Sequence, residues 1–389
     1  MSSDTDGSTE QRLASLRERV ARGMDRREFI RTLVAAGYSL GLARFLGVDD
    51  FLAAADGEVP VVTALVRTDP DDPWSVDTRT RSVPASWYAS VSKAFELNEL
   101  LAESTITGYL GSAVVPGTYD DGGATITVEV SVEADAVREV LDRAVDGVSI
   151  NVDTIRNLDG LEDDVKREPR RARDPASTLV PAGISCETDT SIATLGPALY
   201  EPGTNSRYFS TAHHAFDGVE DARGATVSLP FENGQRTKLG TVTESYPVAD
   251  VVTIESTGPY RPSSTIEGDR RYDIQGQFTR YGLADLVARD EPLEKVGALT
   301  GQTSGEIQGI DAVSCLTGSV CRRGQLRWGD ETDMADGDSG SVSFHADPVG
   351  DDGSVLIAGF NNARTWWPGQ SYVWGIAAYQ LTEQHGFHF

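Results

Sequence analysis

Apolar positions change their period several times along the chain. Val61 to Val66 reads as a strand, and Pro84 opens a helical run with apolar residues at Trp87, Val91, Phe95, Leu97 and Leu101. Tyr109 to Val115 and Thr125 to Val132 are strand-like, separated by a turn signal from Gly117 to Gly123. Glu133 to Val145 spaces Val137, Val140, Leu141 and Ala144 as a helix does and stops at Gly147; Val148 to Val152 then closes the pattern as a strand. The order β-α-β-β-α-β predicts a small ferredoxin-like α+β domain over residues 58–158.

From residue 182 to 389 the pattern is different. Short apolar segments are punctuated by Gly, Pro, Asn and Asp, with little sustained helical spacing, which predicts an all-β domain. Strands are expected at Ser206 to Ser210, Ala225 to Leu229, Val251 to Glu255, Val342 to His345 and Val355 to Phe360, and a closing helix at Ile376 to Glu383. Between the two regions, residues 159–181 alternate acidic and basic blocks with prolines. Such a segment buries little and is expected to be an exposed, mobile linker open to proteolytic nicking.

Residues 1–57 begin polar, then carry Asp25-Arg26-Arg27-Glu28-Phe29-Ile30-Arg31, a weakly apolar run from Thr32 to Ala43, and the small residues Ala53-Ala54-Ala55. Paired arginines ahead of a short apolar stretch and a small-residue cleavage site resemble a twin-arginine export signal, so the mature protein is expected outside the cell. The rival reading is an amphipathic N-terminal helix, which Arg44 just past the apolar run favours. No stretch reaches the ~18 continuous apolar residues of a membrane helix, so no stable span is expected in the mature form.

Charge narrows the partners. The net charge of -26 argues against nucleic acid, whose phosphates are bound by clustered Lys and Arg. Only four lysines (Lys93, Lys166, Lys238, Lys295) stand among 34 basic residues, which leaves 30 arginines. Abundant carboxylates with few lysines resemble proteins of organisms with molar internal salt; an ordinary acidic secreted protein is the alternative. Cys315 and Cys321 could close a small loop, and Cys186 reads as a small buried apolar residue. The five histidines include no HExxH, and neither a metal nor a cofactor is expected.

The candidate chemistry centres on Gly337-Asp338-Ser339-Gly340-Ser341. A serine hydroxyl needs a base to take its proton and N–H donors to hold the oxyanion it creates, and Gly337 lets the turn bring the Gly337 and Ser339 N–H groups together. Upstream, Thr211-Ala212-His213-His214-Ala215 follows an apolar strand, and Asp250 opens the apolar run Val251 to Ile254. A carboxylate there needs a hydrogen-bonding partner, and an imidazole N–H suits it.

These three segments, in the order His, Asp, Ser, resemble those of the chymotrypsin/trypsin-like serine proteases, as does the glycine- and threonine-rich stretch Val296 to Gly305. The chain resembles members exported by bacteria and haloarchaea that carry a pro-like N-terminal domain. The resemblance covers roughly residues 180–389 and implies a double β-barrel and a catalytic triad of His214, Asp250 and Ser339. It also implies an oxyanion hole of the Gly337 and Ser339 N–H groups, and protein or peptide substrates. His213 is the rival base, set aside because the spacing from Thr211 selects His214. Asp333, six residues before the nucleophile, takes the place of the acid at the floor of a pocket for Arg or Lys, although Asp330, Glu331 and Asp336 crowd the same stretch. Asp338 is expected to pair with an internal arginine, as no Ile-Val-Gly-Gly-like segment precedes the barrel. The N-terminal α+β domain is placed where relatives carry an intramolecular inhibitor, with an unrelated module as the alternative. The rival function, of another class, is a protease-like domain that binds proteins without cutting them.

Overall fold

The computed structural model describes residues 57–69, 72–103, 108–120, 123–131, 148–155, 167–315, 321–367 and 370–389. The export-signal region up to residue 56 and the helix expected over Glu133 to Val145 lie outside the described residues.

The N-terminal region contributes β1 (Glu58–Asp69), β2 (Asp72–Pro84), α1 (Ala85–Glu103), β3 (Tyr109–Val115), β4 (Thr125–Val130) and β5 (Ser149–Thr154). In α1 the spacing of Trp87, Val91, Ala94, Phe95 and Leu101 buries one face, as the apolar period requires. β2 has no apolar alternation; its side chains are exposed or partly exposed except at Val83, and among the described residues its strand partner is β1. The pairing departs from the ferredoxin-like expectation. β3 and β4 are antiparallel and β4 and β5 parallel, but β1 does not join them: it pairs with β2 and with β15 (Arg271–Phe278). β3 in turn pairs with β18 (Ile307–Ser314), so the α+β elements are sewn into the sheet of the C-terminal region at two places. Backbone pairing across some 200 residues decided this arrangement, and local periodicity does not carry such information.

The C-terminal region is built from two curled, largely antiparallel sheets. The first runs β8-β7-β11-β12-β13-β10-β9, comprising β7 (Ser185–Glu187), β8 (Ile192–Thr194), β9 (Gly196–Glu201), β10 (Ser206–Ala212), β11 (Thr226–Pro230), β12 (Arg236–Tyr246) and β13 (Val251–Ser256). The second takes β6 (Leu179–Ala182), β14 (Arg261–Glu267), β15, β16 (Leu293–Gly297), β17 (Gly301–Gly305), β18, β19 (Arg322–Trp328), β20 (Val342–Ala346), β21 (Ser354–Trp367) and β22 (Gln370–Ala377), and β1 to β5 extend it. Every strand expected from alternation is present, displaced by a residue or lengthened. The closing helix, α3 (Ala378–His385), starts two residues late because Ile376 and Ala377 still pair in β22. A further helix, α2 (Arg280–Ala288), has Thr279 as its N-cap, accepting from the Gly282 N–H, and buries Leu283, Ala284 and Leu286.

Separate apolar cores fill the two sheets, one around Phe209, Leu229 and Ile254, the other around Phe344, Ile357 and Leu381. A third core is shared: Trp87, Phe95 and Ile126 of the N-terminal region pack in one cluster with Ile310, Leu326, Trp328 and Tyr379. The expected mobile linker is also tied down over its described part. Arg170 N–H donates to Ala298 O at 2.8 Å, Ala172 N–H to Pro230 O at 3.1 Å, and Arg170 Nη2 to Gly268 O at 2.9 Å. Backbone groups at Arg170 and Ala172 thus find partners on both sheets, which charge pattern alone could not disclose.

Candidate active site

The three residues singled out from sequence converge between the two sheets. His214 lies in a 3₁₀ turn (His213–Phe216) directly after β10, Asp250 directly before β13, and Ser339 in the turn before β20. β10 and β13 pair with Ala212 opposite Val251, so the histidine turn and the aspartate are neighbours by register. His214 Nδ1 lies 2.8 Å from Asp250 Oδ2, and His214 Nε2 lies 2.9 Å from Ser339 Oγ. The second carboxylate oxygen accepts the His214 backbone N–H at 2.9 Å, which fixes the plane of the acid. With the ring proton on Nδ1 facing the carboxylate, Nε2 is left to accept the serine proton.

Asp250 sits in the left-handed region at φ 58°, a conformation that a non-glycine residue keeps only where its surroundings hold it. Its side chain is 1% exposed. Burial pushes the carboxyl pKa up, but hydrogen bonds and charge from His214, with the charge of Arg322, outweigh it and hold the group below its ordinary value. Arg322 Nη1 donates to Asp250 Oδ2 at 3.2 Å. No motif pointed to this arginine; it reaches the site from the start of β19, 72 residues downstream of the acid.

The Ser339 turn is clasped by Thr194. Thr194 N–H donates to Ser339 O at 2.9 Å and Thr194 Oγ1 to Gly337 O at 2.9 Å, while Thr211 Oγ1 donates to Thr194 O at 2.8 Å. Gly337 adopts φ 105° and Gly340 φ 96°, and a Cβ on Gly340 would lie 2.2 Å from Thr194 O. Glycine is therefore required at 340 by both backbone and space. Among the described residues the Gly337 and Ser339 N–H groups have no internal acceptor.

Asp338 is fully buried and points away from the site. Its Oδ1 accepts the Leu299 and Thr300 N–H groups at 2.8 and 3.1 Å, and its Oδ2 accepts Thr300 Oγ1 at 2.6 Å, the Ala335 N–H at 3.0 Å and Lys295 Nζ at 3.3 Å. The cation is thus Lys295, not the arginine expected. Burial raises the Asp338 pKa, and Lys295 with the four hydrogen bonds overrides this and holds it below the ordinary carboxylate value.

Asp333 ends a 3₁₀ turn (Glu331–Asp333), where Asp333 Oδ2 accepts the Asp330 N–H at 2.9 Å in a capping box. It is half-buried, and desolvation pushes its carboxyl up from the usual value. His213 takes no part in this chain of contacts: its Nε2 is buried with no hydrogen-bond partner among the described residues, and burial lowers its pKa. Cys315 and Cys321 are disulfide-bonded. Cys186 is buried, its thiol pushed up to about 12 by desolvation, which leaves it protonated and unreactive at neutral pH. Among the described residues no group of three or more His, Cys, Asp or Glu could hold a metal ion, and no helix is long and apolar enough to cross a membrane.

No family model and no curated protein matches the sequence. Solved structures similar to this chain include a glutamic-acid-specific serine protease described as using a histidine triad in substrate binding, at 18% identity and TM-score 0.40, over 54% of this chain and 99% of the other. A Nocardiopsis protease is similar at 15% identity and TM-score 0.40, over 54% of this chain and 97% of its own. Cellulomonas bogoriensis chymotrypsin is similar at 15% identity and TM-score 0.38, over 54% and 97%. Likeness at this level sets no chemistry; the distances within the site do.

Proposed function

We propose that the protein is a serine endopeptidase. Ser339 Oγ attacks a peptide carbonyl carbon while its proton passes to His214 Nε2; the resulting oxyanion is held by the Gly337 and Ser339 N–H groups. The C–N bond then breaks as His214 returns the proton to the leaving amine. Water, deprotonated by the same imidazole, releases the acyl group and restores Ser339. Asp250 holds the ring in the tautomer that leaves Nε2 basic and stabilises its charged form. The observation carrying this reading is the unbroken chain of two hydrogen bonds, 2.8 Å from Asp250 to His214 and 2.9 Å from His214 to Ser339.

A fluorophosphonate probe tests it. Wild type is expected to be labelled at Ser339, mapped by mass spectrometry, and Ser339→Ala not at all. Folded wild-type protein that takes no label at any salt concentration would make the chain a binding module instead.

The reading extends to a preference for Arg or Lys at the cleaved position, through Asp333. Its carboxylate is held at a desolvation cost that an incoming guanidinium would offset. Asp333→Asn keeps an acceptor for the Asp330 N–H while removing the charge. We expect kcat/KM on Arg substrates to fall roughly 10- to 100-fold with Ser339 labelling intact; undiminished Arg cleavage would remove this part. Export from the cell belongs to the same proposal; Arg26-Arg27 and the Cys315–Cys321 bridge, which an oxidising compartment preserves, support it. Intramolecular inhibition by the N-terminal α+β domain, residues 58–158, is a further part of the proposal, exerted with that domain still attached.

A further inference from the structure

The β18–β19 hairpin brings three features to one point. Arg322 opens β19 and pairs in register with Ser314, the last residue of β18. Cys315 and Cys321 are bridged across the hairpin end, and Arg322 is the next residue after Cys321. On its other side β18 is paired with β3, and the Cys315 N–H donates to Leu110 O at 2.7 Å. The arginine therefore leaves a strand end held by a covalent bridge and by a neighbouring strand, and ends 3.2 Å from Asp250 Oδ2.

That oxygen is the one His214 Nδ1 also uses. A buried carboxylate with a neutral imidazole as its main partner lacks a full counter-charge for most of a catalytic cycle. The guanidinium supplies one permanently, as it cannot lose its proton in water at ordinary pH. It also opposes the second positive charge that appears when His214 takes a proton. The charged and titratable groups around the pair are His213 on the histidine turn, Arg322 from β19 and, through His213, Asp221. Arg322 is the one whose charge lies in hydrogen-bond contact with the acid.

We propose that Arg322, locked in place by the Cys315–Cys321 bridge, is a positioning residue of the triad: it orients Asp250 and opposes a second positive charge on the His214 ring. The proposal rests on the endopeptidase reading for its kinetic consequence, but the ring's protonation does not depend on turnover.

Removing the charge favours the imidazolium, so the acidic limb of kcat/KM against pH should move upward in Arg322→Gln. A shift of ~0.5–1 pH unit is expected, given a like charge that meets the ring at a shared carboxylate oxygen and has part of its side chain in solvent. KM should change little, and Arg322→Lys should recover at least half of the shift. Cys315→Ser combined with Cys321→Ser should move the limb the same way, with Arg322 still present. The same series made on Ser339→Ala, with the His214 imidazole followed by NMR across pH, reads the ring directly. If the imidazole titrates at the same pH with and without the guanidinium, Arg322 has no such role. If the titration moves but wild type takes no fluorophosphonate, the positioning role stands and the endopeptidase reading falls.

Discussion

Two buried acids sit within the candidate site, and each solves its desolvation problem differently. Asp250 leans on a base that titrates and on an arginine at its edge, whereas Asp338 is enclosed by four hydrogen bonds and one fully buried lysine. Because the folded pKa of Asp338 lies below its ordinary 3.8, its contribution to stability is complete above that value and is lost as pH falls through the folded pKa. Lys295→Met leaves the carboxylate buried without its cation. It should cost about 3–5 kcal/mol at pH 7, and the acid-induced loss of stability should begin at a higher pH than in wild type; urea melts at pH 3, 5 and 7 would show both. At this scale the sequence was informative where chemistry is written in consecutive residues. Thr211 to His214, Asp250 and Gly337 to Gly340 name the groups that the fold brings into hydrogen-bond contact. Lys295 and Arg322 were not legible because each acts on a partner 43 or 72 residues away through a pairing that only the folded chain creates.

Strand alternation disclosed elements such as β1, whose buried and less buried positions alternate, and passed over β2 and α2. β2 escaped because it is an edge strand with polar residues on both faces, and α2 because nine residues are too few to show a period. The more consequential miss is β4, which read as an ordinary strand yet carries Glu129 at full burial. Its carboxylate receives Arg327 Nη1 at 2.5 Å and Arg327 Nη2 at 3.1 Å, and the guanidinium carbon lies 4.2 Å from the Trp374 ring centroid. Strands β4 and β19 are thereby joined through a two-pronged charge pair in a dry setting. Glu129→Gln keeps the shape but strands the arginine's charge, so a loss of about 3–5 kcal/mol is expected. Chemical denaturation should register it as one transition, with the N-terminal and C-terminal elements melting together. Two separate transitions would mean that the pair links units that fold independently.

For the molecule as a whole, composition and punctuation foretold a β-rich C-terminal region after an α+β one, but not their connection. A domain boundary is visible in sequence when few contacts cross it, and here the largest core crosses it: Trp87 and Phe95 pack in one cluster with Leu326 and Trp328. The charged stretch between them looked like a hinge because it is polar, yet Arg170 and Ala172 are hydrogen-bonded to the sheets beside it. Shared packing of this kind also constrains how such an enzyme could be governed. A guard that is discarded by a single cut must leave a surface able to face water, and peeling away β3 and β4 would bare Ile310, Trp328 and the Arg327 guanidinium at once. The N-terminal region is therefore better suited to being a girder than a cork: whatever control it exerts on the triad, it exerts while still in place.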